Sequence, residues 1–436
     1  MRDRELDREI GRLAIPAFAT LLSEPLYLLT DTAIVGHLGT RQLAGLAVAT
    51  SILLTVHSLA TFLAYGTTSS VARLLGAGHR EEAAHQAVQG LWLALGLGMT
   101  AAVVGAIATR PLVGLFGAHG SVTDHAVLYL RVSLLGLPAL LITLAGTGYL
   151  RGRRDTRTPL AVAVGSATLN LVLELVLITG LGFGLGASAA ATVVAQWAAA
   201  LVLVRAVARD ARPLGVGLAP HRGTQGQLAR TGLDLVVRTS ALRLTLLVAT
   251  GIAARIGTDA VAAHQIAFEI WNFLAMALDA LAIAAQALVG HAVGAGDASA
   301  ARATTRRLLV LGAGGCVLTA GLVLALLPVL PHLFTPDPVV ARTVRTLLVA
   351  VAVLQPLAAV AFVLDGVLIG AGDLRYLAVA GVIATATFAL AAAPILPLGL
   401  GVTWVWVALG AWMAARVTTL ALRARTDHWL AQAAPA

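Results

Sequence analysis

Acidic and polar side chains inside long apolar runs are the residues of this chain whose types and spacing could do chemistry. Asp31 lies late in the first such run, and Glu24 stands seven residues before it, two helical turns back on roughly the same face. Asn170 and Glu174 are four apart and share one helical face, and Thr192 adds a hydroxyl in the next run. The second half carries its own set: Glu269 and Asn272 one turn apart, then Asp279 and Asp365, with Arg243 in the preceding run. An ionised side chain at bilayer depth costs roughly 2.5–3.5 kcal/mol on insertion scales, so each of these needs a reason. Reversible cation binding is one reason. Desolvation and a second nearby carboxylate both favour the protonated form of an acid, so a buried acid can load a proton from one side and release it to the other. A structural partner is the other reason: a deep arginine needs an acid, which makes an ion pair between Arg243 and Glu269, Asp279 or Asp365 the rival of a second ion site built on Glu269 and Asp365.

The elements that must position these groups are membrane spans. Of 436 residues 58% are hydrophobic and only 12% charged, against about 25% charged in soluble domains, and the mean hydropathy is +0.88. Val88 to Thr109 and Leu308 to Pro331 contain no charged side chain, and each exceeds the ~20 residues a helix needs to cross a bilayer. Punctuation by Gly, Pro and Arg predicts twelve spans, beginning near residues 13, 45, 88, 126, 159, 187, 232, 261, 308, 346, 376 and 402. With the N-terminus placed in the cytosol, cytosolic segments hold 22 of the 30 basic residues, all of them arginine, and outside loops hold 5. That asymmetry predicts a multi-pass protein of the cell (inner or plasma) membrane with both termini cytoplasmic. It also accounts for the net charge of +9 without a nucleic-acid partner. The charged, amphipathic start reads as a cytosolic helix rather than a cleavable signal peptide. Cys316, the single cysteine, leaves no disulfide framework or thiolate metal site within one chain.

The chain also repeats itself at an offset of 218. Gly39-Thr40 recurs as Gly257-Thr258, Gly76-Ala77-Gly78 as Gly294-Ala295-Gly296, Pro138 as Pro356, Gly148 and Gly152 as Gly366 and Gly370, and Asp155 and Arg157 as Asp373 and Arg375. Near residue 182 the register slips by one, where Gly182-Phe-Gly184 matches Gly399-Leu-Gly401. Matched Gly and Pro weigh most, because they hold turns, kinks and close approaches. Six spans per half is an even number, so both halves enter the membrane in the same orientation, a parallel repeat of the kind found in transporters. The expected fold is all-α and integral to the membrane, twelve transmembrane helices in two six-helix bundles, 1–218 and 219–436. The counterpart of Asp31 is Ala249, so the repeat itself demands no acid there.

The stretch from Glu24-Pro25 through Asp31-Thr32 to Gly36-His37-Leu38-Gly39 resembles the first span of the multidrug and toxic compound extrusion (MATE) family. Ala263-His264-Gln265 and the segment from Leu364-Asp365-Gly366 to Gly372-Asp373 resemble its DinF-like branch. The resemblance runs from about residue 10 to 425. It implies two bundles forming a V and alternating access, with export of organic, often cationic, compounds driven by inward H⁺ or Na⁺. It also implies that Asp31, Asn170 and Thr192 belong to a cation-linked site; the position of Glu174 usually carries Asp, and the longer side chain shifts its reach. We therefore expect an antiporter, H⁺ favoured over Na⁺, for small organic cations or drugs, working as a monomer in the lipid bilayer without a cofactor. On this reading, protonating Asp31 rearranges the first span, bent by Pro16 and Pro25, and expels substrate. In the C-half the matching alternatives stay open: a second ion site of Glu269 and Asp365 with Asn272 alongside, or an ion pair of one of these acids with Arg243.

Other classes fit less well. An enzyme would show paired metal ligands or a nucleophile motif, and neither His-Glu-x-x-His nor Gly-x-Ser-x-Gly occurs. A flippase or exporter of a lipid-linked or other specific metabolite in the same superfamily would be expected to have a cationic cavity, whereas the intramembrane charge here is mostly acidic. A channel leaves the titratable acids unexplained. His57, alone in the middle of span 2, reads as a hydrogen bonder between helices rather than a proton relay.

Overall fold

A computed structural model describes residues 2–117 and 119–431. Among these described residues, twelve helices are long and apolar enough to cross a bilayer. The first six are α1 (Asp3–Gly36), α2 (Thr40–Gly76), α3 (Arg80–Leu115), α4 (Ser121–Gly152), α5 (Arg157–Gly180) and α6 (Leu185–Leu214). The second six are α7 (Arg222–Ile256), α8 (Thr258–Gly294), α9 (Ala298–Ala325), α10 (Pro338–Ala371), α11 (Leu374–Ala392) and α12 (Val402–Arg425). No strand occurs among the described residues. Several helices begin ahead of their apolar stretch, α3 at Arg80 rather than 88 and α10 at Pro338 rather than 346, because polar first turns overhang the span. Asp337 shows how such an end is closed: its Oδ1 accepts from the N–H groups of Val339 (2.7 Å) and Val340 (3.3 Å), with Pro338 supplying a preset first turn.

The chain divides into two compact units. One is Ile15–Gly232; the other joins the N-terminal residues through Ala14 to Leu233 onward. Within the second, Ile10 and Leu13 are buried and Asp7 accepts both Nε and Nη2 of Arg307 on α9 at 2.5 Å. The amphipathic start thus packs with the C-terminal helices, and the contact boundary after Gly232 lies beyond the 218 midpoint.

Inside the units the duplication is visible as matched packing. α4 packs on α2, α3 and α6, and α10 packs on α8, α9 and α12 in the same way. The matched glycines sit at the crossings. A Cβ on Gly148 would lie 3.1 Å from Ala64 Cα, and one on Gly366 2.7 Å from Ala282 Cα; Ala64 and Ala282 are themselves 218 apart. Small residues let helix backbones approach this closely in membranes. We expect Gly366→Ala to cost about 1–3 kcal/mol through overpacking against backbone, read as a lower midpoint of thermal unfolding in detergent. Gly165→Ala, with open space around it, serves as the neutral comparison.

Candidate functional site

Four of the six helices of the first unit, α1, α4, α5 and α6, bring polar groups to one place, near the ends of α1 and α5 and the start of α6. Asp31 faces inward on α1 and is 2% exposed, and Glu174 on α5 is 0% exposed. Ser188, in the first turn of α6, joins them: its Oγ is 2.7 Å from Asp31 Oδ1 and 2.9 Å from Glu174 Oε1. Four residues on, Thr192 donates to the Ser188 carbonyl at 3.1 Å and shares a 2.7 Å hydroxyl contact with Tyr27 on α1. Tyr129 on α4 donates to Asp31 Oδ2 at 3.4 Å. Asn170, one turn before Glu174, is buried beside it.

Local structure explains the convergence. Pro16 and Pro25 lie inside α1, where each removes a backbone hydrogen bond. Directly after Glu174 the helix widens into a π-helical turn, Leu175–Gly180, a distortion that tends to mark functional sites. The unpaired N–H groups at the start of α6 favour negative charge nearby. Asn170 Oδ1 and Glu174 Oε2 are buried without a hydrogen-bond partner among the described residues. The site is therefore rich in acceptors and includes no basic side chain among the contacts of Asp31 and Glu174. What it suits is a proton or a small cation.

Of the residues expected from the sequence, Asp31, Asn170, Glu174 and Thr192 come together. Glu24 does not: its side chain is 46% exposed and its Oε1 lies 3.6 Å from Nδ1 of His57 on α2, beyond hydrogen-bond length. Glu24 and Asp31 lie on one helix with Pro25 between them, and only Asp31 is buried at the site. We expect Glu24→Gln to leave ion-driven transport within about twofold of wild type, since an exposed pair contributes little; a liposome efflux assay checks this. Ser188, Tyr27 and Tyr129 were not foreseen. Spacing held a signal for two of them, because Ser188 precedes Thr192, and Tyr27 precedes Asp31, by four residues.

The second unit arranges its charges differently. Asp365 on α10 accepts from Arg238 of α7 (Nη2 at 2.5 Å, Nε at 3.4 Å) and from Arg416 of α12, and all three are buried. Arg416 also lies over the Trp412 ring, 5.1 Å from its centroid. The ion pair expected for Arg243 is not formed: Arg243 is exposed on α7, and Asp365 takes Arg238 and Arg416 instead. Five residues turn a helix by about 140°, so Arg238 and Arg243 cannot both face the bundle. Arg416 lies within α12. Glu269 and Asn272 are exposed, and the partner of Glu269 is Gln265, at 2.8 Å. Gly366 meets α8 at Ala282, 13 residues or roughly 20 Å along the axis from Glu269. Glu269 and Asp365 therefore do not form one site. No group of three or more metal-ligating side chains occurs among the described residues.

Comparison with known proteins agrees with this architecture. The MatE family model matches residues 16–176 and 239–395, one match in each half. The Arabidopsis thaliana protein DETOXIFICATION 44, chloroplastic, is 33% identical over 98% of this chain and 84% of its own length. DNA damage-inducible protein F of Escherichia coli K12 is 30% identical over 97% of this chain and 93% of its own. A solved MOP superfamily transporter from Pyrococcus furiosus superposes with a TM-score of 0.86 at 23% identity, covering 96% of each chain. A multi-pass membrane protein of twelve apolar helices, the chain belongs to the MatE family of multidrug and toxic compound efflux transporters, which move small molecules across membranes and are not enzymes.

Proposed function

We propose that the chain is a proton-coupled antiporter, in which Asp31 and Glu174 carry the coupling proton and an organic cation or amphipathic drug is exported by alternating access. One observation carries this reading: two fully buried carboxylates meet through a single hydroxyl, with no arginine or lysine among their contacts. Two charges so placed repel in a dry interior, whereas one shared proton relieves both the repulsion and part of the desolvation cost. The acids of the first unit favour a positively charged substrate; Asp365 is committed to its arginines and offers no comparable site. The excess of arginine in the segments assigned to the cytosol supports a cell-membrane protein with both termini inside, and each unit has its own core, consistent with a working monomer.

The test is efflux of a fluorescent cationic dye from proteoliposomes under an imposed pH gradient or an imposed Na⁺ gradient. Dye movement driven by the pH gradient alone is expected. Movement driven only by Na⁺ would overturn proton coupling, and no movement under either, with folded protein verified, would overturn the cationic-drug assignment.

A further inference from the structure

A hydroxyl group has one proton to donate, and the Ser188 hydroxyl touches two carboxylates. Its Oγ stands 2.7 Å from Asp31 Oδ1 and 2.9 Å from Glu174 Oε1, both ordinary hydrogen-bond lengths. If both acids were ionised, one of these contacts would set two acceptor oxygens against each other without a proton between them. Both become hydrogen bonds when one carboxyl donates its own proton to Oγ while Oγ donates to the other. The three oxygens then form a chain with two protons in two contacts, and the chain reads equally well in either direction.

Resting on the proton-coupled reading above, we propose that Ser188 is the relay of the coupling site: it passes a single proton between Asp31 and Glu174. In the transfer, the Asp31 carboxyl O–H breaks and its proton bonds to Ser188 Oγ, while the Ser188 O–H breaks and its proton bonds to Glu174 Oε1. One proton leaves Asp31, one arrives at Glu174, and the serine ends neutral as it began. No heavy atom has to travel; only the hydroxyl reorients before the next transfer.

The surroundings support this assignment. Ser188 is fully buried, so bulk water does not compete for the bridge. The Thr192 hydroxyl donates to the Ser188 carbonyl and Tyr27 meets Thr192, an arrangement that fixes the first turn of α6 while leaving Oγ to the acids. The duplicated half has nothing equivalent: at the matching positions stand Ala249, Ala392 and, after the one-residue slip, Val405. The serine is therefore not required by the repeated packing.

Three proteins in the same liposomes test the relay: wild type, Ser188→Ala and Ser188→Thr. Under a pH gradient we expect dye efflux by Ser188→Ala to fall by about tenfold or more, and Ser188→Thr, which keeps the hydroxyl, to stay within about threefold of wild type. Thermal unfolding of all three establishes that the alanine variant is folded. A second readout separates relay from packing: the infrared band of protonated carboxylic acid, identified by its loss in Asp31→Asn and Glu174→Gln, should shift in Ser188→Ala and not in Ser188→Thr. Folded Ser188→Ala with wild-type pH-driven efflux and an unshifted band would overturn the relay while leaving proton coupling intact. Wild type driven by Na⁺ and not by the pH gradient would instead overturn the underlying reading, and the relay with it.

Discussion

Replacing Asp31 by Asn is expected to abolish concentrative transport while leaving the protein folded. Moving one proton down a gradient of one pH unit releases about 1.4 kcal/mol, a factor of ten in concentration. With one proton exchanged per neutralised positive charge and no membrane potential, a gradient of two units therefore supports substrate accumulation up to about 100-fold. The amide keeps the shape of the acid and a hydrogen bond to Ser188 but cannot lose a proton, so the accumulation ratio should fall to about one. The measurement is the steady-state dye ratio across liposomes at fixed pH difference, with potential clamped by an ionophore. Glu174→Gln should show a loss in the same direction, because either acid alone leaves the relay without a second terminus. Wild-type accumulation in Asp31→Asn would remove this site from coupling altogether.

The second large effect is one of stability. Asp365→Ala should destabilise the protein by about 3–5 kcal/mol, the usual result of removing one member of a buried charge network. The physical cause is the two guanidiniums of Arg238 and Arg416 that share this carboxylate, one of which also stacks on Trp412. Low yield, aggregation or a strongly lowered unfolding midpoint are the expected readouts. Glu269→Gln, whose side chain is exposed and bonded within its own helix to Gln265, should match wild type in both stability and transport. Equal behaviour of the two variants would mean that the buried triad does not hold α7, α10 and α12 together.

What the sequence made legible follows from how unusual a residue is in its surroundings. Twelve spans could be read because long apolar runs have no competing explanation, and the repeat because matched Gly and Pro are rarely coincidental. The pairing of Gly148 with Gly366 shows why they match: each lets a helix approach the backbone of a neighbour, at Ala64 and Ala282. Asp31 and Glu174 stood out for the cost of burying charge. Ser188, Tyr27 and Tyr129 carry no such cost, and hydroxyls commonly turn back onto their own helix, as Thr20 does onto the Pro16 carbonyl. Only the tertiary arrangement distinguishes a hydroxyl that bridges two acids from one that does not. The same limit governed the arginines. Hydropathy located Arg243 inside a span but said nothing of which face it occupies. Glu24 shares the helix of Asp31, but helical spacing alone did not tell that its side chain stays exposed beside His57.

The central claim, that a proton bound by Asp31 and Glu174 is exchanged for substrate, is tested most directly by running the exchange backwards. Liposomes without any pH gradient, loaded with a pH-sensitive dye, receive an outwardly or inwardly directed gradient of cationic substrate, and proton movement is recorded. The account predicts proton flux opposite in direction to the substrate, unchanged by Na⁺ and absent in Asp31→Asn. Substrate movement accompanied by Na⁺ flux, or by no counter-movement of protons, would contradict it.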